Sequence, residues 1–242
     1  MDILSEIKEK REIQLQKEKK LYKKPSFKDV LKQEGLKIIG EIKRASPSKG
    51  KIADNSFNLL NQAKYYAENG VAAFSILTEE EYFKGDNEFI KIISENFPHI
   101  PILRKDFIYT PFQVAHAKFL GASAILLIVR MLNDEELHTL HRLAHELELD
   151  VLVEIHDKNE LERALKMPDL QILGINNRNL NTFNTDIKTT GELIKFIPEE
   201  ILKNIVLVSE SGFLSKDDLK YAENLNVDAL LIGEALMKGL IF

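Results

Sequence analysis

The chain has 242 residues and no cysteine; 44% of its residues are hydrophobic, 29% are charged, and the formal net charge is -5 at pH 7. The lack of cysteine excludes disulfides and thiol nucleophiles, and scattered lysines under a negative net charge exclude a broad basic surface for nucleic acid. Because no stretch reaches the roughly 18 apolar residues of a membrane span, and the charged N-terminus is unlike a secretory signal, we expect a cytoplasmic globular protein without a membrane partner.

The first segment, residues 1–36, is predicted to be a helical extension that packs on the rest of the protein. Its first 23 residues are highly charged and carry a thin apolar stripe at helical spacing. Pro25 then marks a boundary, because proline seldom continues a helix, and a short helix over residues 27–33 is predicted to follow.

Eight apolar, β-rich runs follow from Lys37 onward, each succeeded by a turn and a segment of helical periodicity. Near-continuous apolar strands are typical of a parallel sheet that is covered on both faces. A doubly wound sheet has the same alternation, but no G-x-G-x-x-G follows the first run. The pattern favours an α/β fold of the (β/α)8 TIM-barrel class over residues 37–242, which forms a single domain with the extension. The predicted strands cover residues 37–42, 71–77, 100–105, 123–129, 150–155, 171–176, 205–210 and 228–233.

Several of the intervening helices have recognisable N-terminal caps. Asn133, Asp157 and Ser215 each precede a helical period, and short polar side chains at such positions accept hydrogen bonds from free backbone N–H groups. Asp218, three residues after Ser215, is placed to complete a capping box. These signals predict helices that begin directly after each of the three caps.

Polar side chains stand at the ends of five predicted strands. In a barrel the carboxyl ends of the strands form the catalytic face, and residues i and i+2 of a strand point the same way. Buried charges need partners, so three carboxylates and three cations that converge there satisfy one another and bring acid and base candidates together. The alternative is that each is a solvated strand-end charge. The residues that share this phase are Glu41, Lys43, Lys105, Glu154, Asn176, Arg178 and Glu210.

Glycine-containing turns follow the last two predicted strands. In many barrels the main-chain N–H groups of these two loops, with a helix N-terminus, bind phosphate. Glycine lets the backbone approach an anion closely, although ordinary turn glycines would give the same pattern. We expect a phosphate seat here, with Lys43 as an added point charge and the loop of residues 46–50 closing over the ligand. The two turns are Ser211-Gly212 and Gly233-Glu234.

Three histidines, His138, His141 and His145, share one face of a predicted helix. Their spacing is compatible with a metal site, but the helix is far from any strand end. We therefore expect a solvated histidine face and no metal.

Eight ordered blocks of the sequence resemble the indole-3-glycerol-phosphate synthases of tryptophan biosynthesis, over about residues 38–238. The most specific pieces are EIKRASPSKG and its spacing to RKDF, VEIH, INNRNL and SESG. The resemblance implies a carboxy-lyase that closes the indole ring of 1-(2-carboxyphenylamino)-1-deoxyribulose 5-phosphate by acid–base catalysis, with loss of CO₂ and water. It also implies that no metal or organic cofactor takes part. The blocks are IIGEIKRASPSKG (38–50), SILTEEEYFKGD (75–86), PILRKDFI (101–108), GASAILLIV (121–129), VLVEIH (151–156), LGINNRNL (173–180), VSESG (208–212) and LLIGEALM (230–237).

The same resemblance implies roles for individual residues. Lys105 is the general acid on the ketone oxygen, and Glu154 is the base near the anilino nitrogen. Lys43 contacts the substrate and transfers a proton during dehydration, while Glu41 orients the lysines and is a second base candidate. Phe83, Phe107 and Leu126 form an apolar slot for the aryl ring. The implied substrate-binding residues are Ser46, Phe83, Phe107, Leu126, Asn176, Arg178, Glu210 and Ser211. The implied phosphate-binding residues are Lys43, Ser211, Gly212, Gly233 and Glu234.

Two other interpretations stay open from the residues themselves. One is another phosphate-binding barrel lyase or isomerase: the neighbouring isomerase type uses a cysteine base, which this chain lacks, whereas a Schiff-base aldolase would use a strand-end lysine such as Lys105. The other is a non-catalytic barrel that binds a phosphorylated ligand. In each case the partner is a phosphorylated small molecule, and we expect a monomer or weak homodimer.

Overall fold

In the computed structural model, which describes residues 2–22, 24–46, 50–51, 57–180 and 182–241, parallel strands form a closed eight-stranded barrel. Each strand hydrogen-bonds to its neighbours in chain order, and the last closes on the first. This topology confirms the predicted (β/α)8 architecture. The barrel strands are β1 (Lys37–Ile42), β2 (Ala73–Leu77), β3 (Ile102–Lys105), β4 (Ala124–Ile128), β5 (Asp150–Ile155), β6 (Ile172–Asn176), β7 (Val206–Glu210) and β8 (Ala229–Ile232).

The helices begin where the capping residues indicate. The side chains of Asn133, Asp157 and Ser215 each accept a hydrogen bond from the backbone N–H three residues further on. Glu136 and Asp218 complete capping boxes with Asn133 and Ser215, which confirms the predicted caps. In the described residues the helices are α1 (Ile3–Tyr22), α2 (Phe27–Leu31), α3 (Leu59–Glu68), α4 (Glu88–Asn96), α5 (Pro111–Leu120), α6 (Asp134–Glu146), α7 (Lys158–Ala164), α8 (Lys188–Ile194), α9 (Glu199–Leu202), α10 (Lys216–Asn224) and α11 (Glu234–Met237).

Side chains of each barrel strand alternate between two apolar layers. On β5, Leu152 belongs to the layer inside the barrel, whereas Val151 and Val153 belong to the layer between strands and helices. Phe27 and Leu31 of α2 are fully buried in the inner layer, at the amino-terminal ends of the strands. Fully burying such a side chain contributes roughly 1.5–3 kcal/mol, so α2 is a stabilising plug of the barrel.

The amino-terminal extension divides into two parts. The second part, α2, is anchored: Ser26 Oγ and the Lys28 N–H donate to the carboxylate of Asp150, at the start of β5, over 3.1 and 3.0 Å. The first part, α1, leaves the side chains of residues 2–17 exposed, including the predicted apolar stripe. Among the described residues, those of α2 and its flanking residues Lys24 and Lys32 bond to residues of the 37–242 segment. The single-domain organisation of residues 1–36 with 37–242 stays a prediction.

The expectation of a fully solvated histidine face is wrong for His141. This side chain is 4% exposed and shares the buried face of α6 with Leu137 and Ala144. Burial, with a smaller contribution from His145, lowers the pKa of His141 to about 4. The buried stripe of α6 is therefore wider than the leucine spacing indicates, because the neighbouring elements cover part of the histidine face as well.

The loop after β1 is described in part. Residues Ala45–Ser46 pair with Gly50–Lys51 as a short antiparallel ribbon. Residues 47–49, within the loop predicted to close over the ligand, lie outside the described residues, so that closure stays a prediction. Among the helices of the described ranges, none combines the length and apolar character needed to cross a membrane.

Candidate active site

A cavity of about 510 Å³ opens at the carboxyl ends of the barrel strands, the face on which barrel enzymes carry their active sites. Its volume lies in the range of small-molecule sites. Ser46 is the predicted site residue that is not placed, because its side chain lies outside the described part of the chain. The other predicted residues all line the cavity: Glu41, Lys43, Phe83, Lys105, Phe107, Leu126, Glu154, Asn176, Arg178, Glu210, Ser211, Gly212, Gly233 and Glu234.

A lysine lies between two carboxylates in this cavity. Lys105 Nζ is 2.7 Å from Glu154 Oε2 and 2.8 Å from Glu210 Oε2. The three residues stand at or next to the ends of β3, β5 and β7, and side chains from alternate strands share a layer inside such a barrel. Glu154 is 2% exposed and Glu210 is 1% exposed, so a negative charge on either carboxylate needs a nearby cation, and Lys105 contacts both.

Burial opposes the charge of both carboxylates, yet their pKa values move in opposite directions. At Glu154 the attraction of Lys105 and His156 outweighs burial and holds the pKa far below its ordinary range. At Glu210 burial and the charge of Glu154 outweigh Lys105 and raise the pKa to about 8. Burial also opposes the charge of Lys105, but the surrounding carboxylates raise its pKa above the ordinary range. These directions favour a charged Lys105, an ionised Glu154 and a protonated Glu210 near neutral pH.

Gly174 on β6 makes room for the second of these carboxylates. A Cβ at this position would lie 2.3 Å from Glu210 Oε1 and 3.0 Å from Leu152 Cδ1. Any larger residue would force this carboxylate to move. The position of Glu210 therefore explains why a glycine stands in the LGIN run. The local sequence around Gly174 does not indicate this contact, because Glu210 is distant in the chain.

A second ion pair joins Glu41 and Lys43, whose two-residue spacing at the end of β1 puts them on the same side. Burial would raise the pKa of Glu41, but Lys43 and Lys105 hold it below its ordinary value. Gly233, directly after β8, leaves the space that the pair occupies, because a Cβ there would lie 2.6 Å from Glu41 Oε1 and 3.0 Å from Lys43 Nζ. This glycine thus has a structural reason besides the predicted approach of a phosphate.

The cavity also has an apolar part. The rings of Phe83 and Phe107 have centroids 6.1 Å apart and planes inclined by 43°. Leu77 and Leu126 line the same cavity, and Phe107 packs on the inner apolar layer of the barrel. Side chains of this kind bind flat apolar groups, which the predicted slot for an aryl ring requires.

The loop after β7 has a constrained backbone. Ser211 and Gly212 both have positive φ angles, 69° and 96°, and for the serine such a conformation costs of order 1–3 kcal/mol. The buried side chain of Asn177 holds this loop: its Nδ2 group donates to Ser209 Oγ and to Ser211 O, each over 3.1 Å. Its Oδ1 accepts from the N–H and the hydroxyl of Thr190. Here the surrounding hydrogen bonds maintain the strain, as is often found at functional sites.

The segment after Arg178 also lines the cavity, and sequence reasoning missed it. Arg178 pairs with Thr185 in an isolated antiparallel bridge, and the turn between them brings Leu180, Phe183 and Asn184 to the cavity. The run NRNLNTFNT was the available signal, since asparagine and threonine favour compact turns. Asn177 was missed as well, because a buried amide that bonds only protein groups has no distinctive sequence pattern.

The arrangement supports proton-transfer chemistry. An ammonium and an ionised carboxylate at hydrogen-bond distance, beside a neutral carboxylic acid, supply both donor and acceptor for a substrate in the cavity. Within the described ranges, no group of three or more His, Asp or Glu side chains is arranged to hold a metal ion.

The sequence as a whole identifies the family. A family model described as indole-3-glycerol phosphate synthase matches residues 2–240. The chain belongs to the indole-3-glycerol phosphate synthase family. The match covers the amino-terminal extension as well as the barrel of this synthase family member. It therefore confirms the resemblance of the eight sequence blocks over their whole extent.

Individual relatives of this synthase family member agree. The indole-3-glycerol phosphate synthase of Thermoanaerobacter pseudethanolicus is 50% identical over 213 residues, which cover 88% of this chain and 79% of that protein. That of Acetivibrio thermocellus is 44% identical over 253 residues, covering 98% and 95%. Among solved structures, KGPDC from Streptococcus mutans has a TM-score of 0.62 at 12% identity, over 84% of this chain and 90% of that chain. At this low identity the likeness shows the barrel fold alone.

Proposed function

We propose that this chain catalyses the reaction for which its family is named, as a carboxy-lyase of tryptophan biosynthesis. The substrate is 1-(2-carboxyphenylamino)-1-deoxyribulose 5-phosphate, and ring closure with loss of CO₂ and water gives indole-3-glycerol phosphate. Beside family membership, the observation that carries the proposal is the buried ammonium of Lys105 between Glu154 and Glu210. It lies in a cavity that also has an aromatic wall and a glycine-containing loop.

Lys105 acts as the general acid of ring closure. As the aryl carbon that carries the carboxylate attacks the ketone, negative charge develops on the ketone oxygen, and a buried ammonium stabilises this charge and supplies a proton. The raised pKa of Lys105 keeps the amine protonated in the free protein, so the donor is in place before the substrate arrives. Loss of CO₂ from the same aryl carbon then restores the aromatic ring.

The dehydration that follows needs an acid for the departing hydroxyl and a base for the proton that is lost. Glu154, whose low pKa keeps it ionised, serves as the base near the anilino nitrogen. Lys43 protonates the departing hydroxyl, and the buried ion pair with Glu41 holds it in place. Groups in these roles typically contribute about 10²–10⁴-fold each.

Substrate binding divides between the two ends of the cavity. The apolar slot holds the aryl ring, which keeps the ring near the ketone and lowers the entropic part of the barrier. The loop of Ser211 and Gly212, the turn at Gly233, and the Lys43 ammonium hold the phosphate. The carboxylate of Glu234 bonds to Lys238 Nζ over 2.7 Å, so we assign only the main-chain N–H of Glu234 to the phosphate. The remaining assigned contacts are those of Ser46, Phe83, Phe107, Leu126, Asn176, Arg178 and Glu210.

The setting of this activity is proposed as follows. The chain works in the cytoplasm as a monomer or weak homodimer, and residues 1–36 form one domain with 37–242. The lack of cysteine is compatible with a reducing compartment, and the anchored α2 supports one folding unit. Sedimentation velocity over a range of concentrations measures the oligomeric state, and a stable tetramer would contradict the proposal.

Turnover with the purified chain tests the function directly, because formation of the indole ring is followed by its fluorescence. Lys105→Met retains much of the side-chain volume without the amine, and we expect its kcat to fall at least 100-fold. Lys64→Met, on an exposed part of α3 where the lysine side chain is 68% exposed, is the matched control and should keep wild-type kcat. A wild-type protein without turnover would refute the function, and a Lys105→Met variant that keeps about a tenth of kcat would refute the acid role.

A second measurement distinguishes the proposed synthase from a Schiff-base aldolase. A Schiff-base aldolase would bind its carbonyl substrate covalently through Lys105, and borohydride would reduce that adduct to a stable secondary amine. We expect no mass increase at Lys105 after treatment with substrate and borohydride. A trapped adduct would favour the aldolase.

A further inference from the structure

A buried histidine lies behind Glu154, outside the wall of the cavity. The His156 side chain is 3% exposed and does not line the cavity. Its Nε2 is 3.2 Å from Glu154 Oε1, which is ion-pair distance without hydrogen-bond alignment. Its Nδ1 is 3.0 Å from Glu160 Oε2. A neutral imidazole has one donor, so a ring with a carboxylate at each nitrogen favours the cation.

The ring is held in this position from the outer side. Glu160 accepts the His156 backbone N–H over 2.8 Å with the same oxygen that meets Nδ1, and its other oxygen pairs with Arg130. Asp157 accepts the Glu160 N–H as the cap of α7 and pairs with Arg130 over 2.8 Å. The charged groups around the imidazole are therefore Glu154 on one side and the Glu160–Arg130–Asp157 cluster on the other. This cluster fixes the orientation of the ring.

The histidine makes the two carboxylates around Lys105 unequal. The distances from Lys105 Nζ, 2.7 Å to Glu154 and 2.8 Å to Glu210, give neither acid an advantage. The second oxygen of Glu154 meets His156, whereas Glu210 Oε1 is buried without a hydrogen-bond partner among the described residues. Negative charge is therefore better placed on Glu154, and a proton is better placed on Glu210.

We propose that His156 is a positioning residue whose positive charge behind Glu154 keeps that carboxylate ionised as the base. When the two carboxylates hold one proton between them, the charge of His156 places that proton on Glu210. The inference rests on the proposed function for the role of the base, but the charge state of His156 does not. His156 does not touch the substrate and acts through Glu154. The direction of the pKa shifts agrees: burial lowers the pKa of His156, but Glu154 and Glu160 outweigh burial and raise it to about 9.

The first test measures the charge state in the wild-type protein. The chain has 6 histidines, and ¹⁵N-labelled imidazoles report each titration by NMR. We expect one imidazole to titrate well above pH 8 and its signal to be missing in His156→Gln. An assigned His156 that titrates at or below its ordinary value of 6.5 would overturn the inference, whatever the variants do.

The second test follows the pH dependence of kcat. Without the charge of His156 the proton is divided more equally between Glu154 and Glu210, and the base Glu154 is protonated at a higher pH. The acid limb of the profile of His156→Gln should therefore move up by about one pH unit or more, with KM nearly unchanged. His141→Gln is the matched control, since His141 is also buried, at 4% exposure, but lies on α6 and does not line the cavity. Glu160→Gln removes the outer carboxylate charge, so the pKa of the His156 ring should fall, and the NMR titration measures this change.

The outcomes separate the two proposals. A folded His156→Gln that keeps the wild-type profile overturns the role of His156 while leaving the synthase function intact. Wild-type protein without turnover refutes the function, and the NMR titration then still decides the charge of His156. If His156→Gln does not fold, Glu160→Gln and the titration of the wild-type ring decide: a His156 titration that Glu160→Gln leaves unmoved, or a neutral wild-type ring, overturns the proposal.

Discussion

Replacing Gly174 by alanine should impair catalysis with little effect on folding. Gly174 lies in the regular strand β6, where alanine fits the backbone, so the conflict is confined to side chains. The new Cβ would lie 2.3 Å from Glu210 Oε1. Ordinary contact between non-bonded heavy atoms is about 3.5 Å, so the carboxylate must retreat by roughly 1 Å. Because Oε1 and Oε2 belong to one rigid carboxylate, this movement also shifts Oε2, which bonds to the Lys105 ammonium.

The size of the effect follows from this displacement. The distance between Lys105 Nζ and Glu210 Oε2 is 2.8 Å, and a displacement of the carboxylate by roughly 1 Å disrupts the length or the alignment of this hydrogen bond. A hydrogen bond to a charged group contributes about 1.5–3 kcal/mol, and 1.36 kcal/mol corresponds to about tenfold in rate. We therefore expect Gly174→Ala to lower kcat by about 10–100-fold, since both the donor and the shared proton lose their positions.

Steady-state kinetics by indole fluorescence, with urea unfolding of the same preparations, checks this prediction. Gly191→Ala is the control, because its Cβ would lie 2.9 Å from the Tyr221 hydroxyl on α10, away from the cavity. It should cost some stability and leave kcat unchanged. The reasoning is refuted if Gly174→Ala stays within threefold of wild-type kcat, or if Gly191→Ala loses as much activity.

Two further predictions concern the phosphate loop and the pH dependence of stability. Asn177→Ala removes the hydrogen bonds that hold the strained Ser211, so calorimetry should show that inorganic phosphate binds at least tenfold more weakly, while the α-helical content is retained. Unchanged phosphate binding would contradict the role of this amide. The folded pKa of His156 is raised from 6.5 to about 9, so its contribution, of order 3 kcal/mol, is complete below pH 6.5 and lost as pH rises through 9. The free energy of unfolding should fall more over this interval in the wild type than in His156→Gln, and equal falls would contradict the raised pKa.

The fold and much of the site were predictable because their signals are local. Apolar runs of four to seven residues between helical periods indicate parallel strands, and the spacing of polar residues at strand ends indicates which side chains share a face. This spacing assigns Glu41, Lys105 and Glu154 to one end of the barrel, and all three line the cavity. Helix caps such as Asn133 were equally visible, since a cap acts within one turn of its helix.

The residues that were missed act through partners distant in the chain. His156 follows a recognised acid by two positions, but its meaning depends on Glu160 and on the 3.2 Å approach to Glu154. Gly174 is ordinary in sequence, and the reason for it is the carboxylate of Glu210 on the next strand. His141 shows the reverse error, because its spacing indicated a solvated face and the packing of α6 buried it.

By itself the sequence determined the barrel, the family and the set of acids and amines at the strand ends, because alternation, caps and motif spacing are properties of short segments. Only the tertiary structure decided how charge is divided among those groups: which carboxylate stays ionised, which carries a proton, and which glycines leave room for them. Electrostatic free energy depends on distance and burial over all neighbours at once, and the closure of the barrel brings residues as far apart as Lys105 and Glu210 within 2.8 Å.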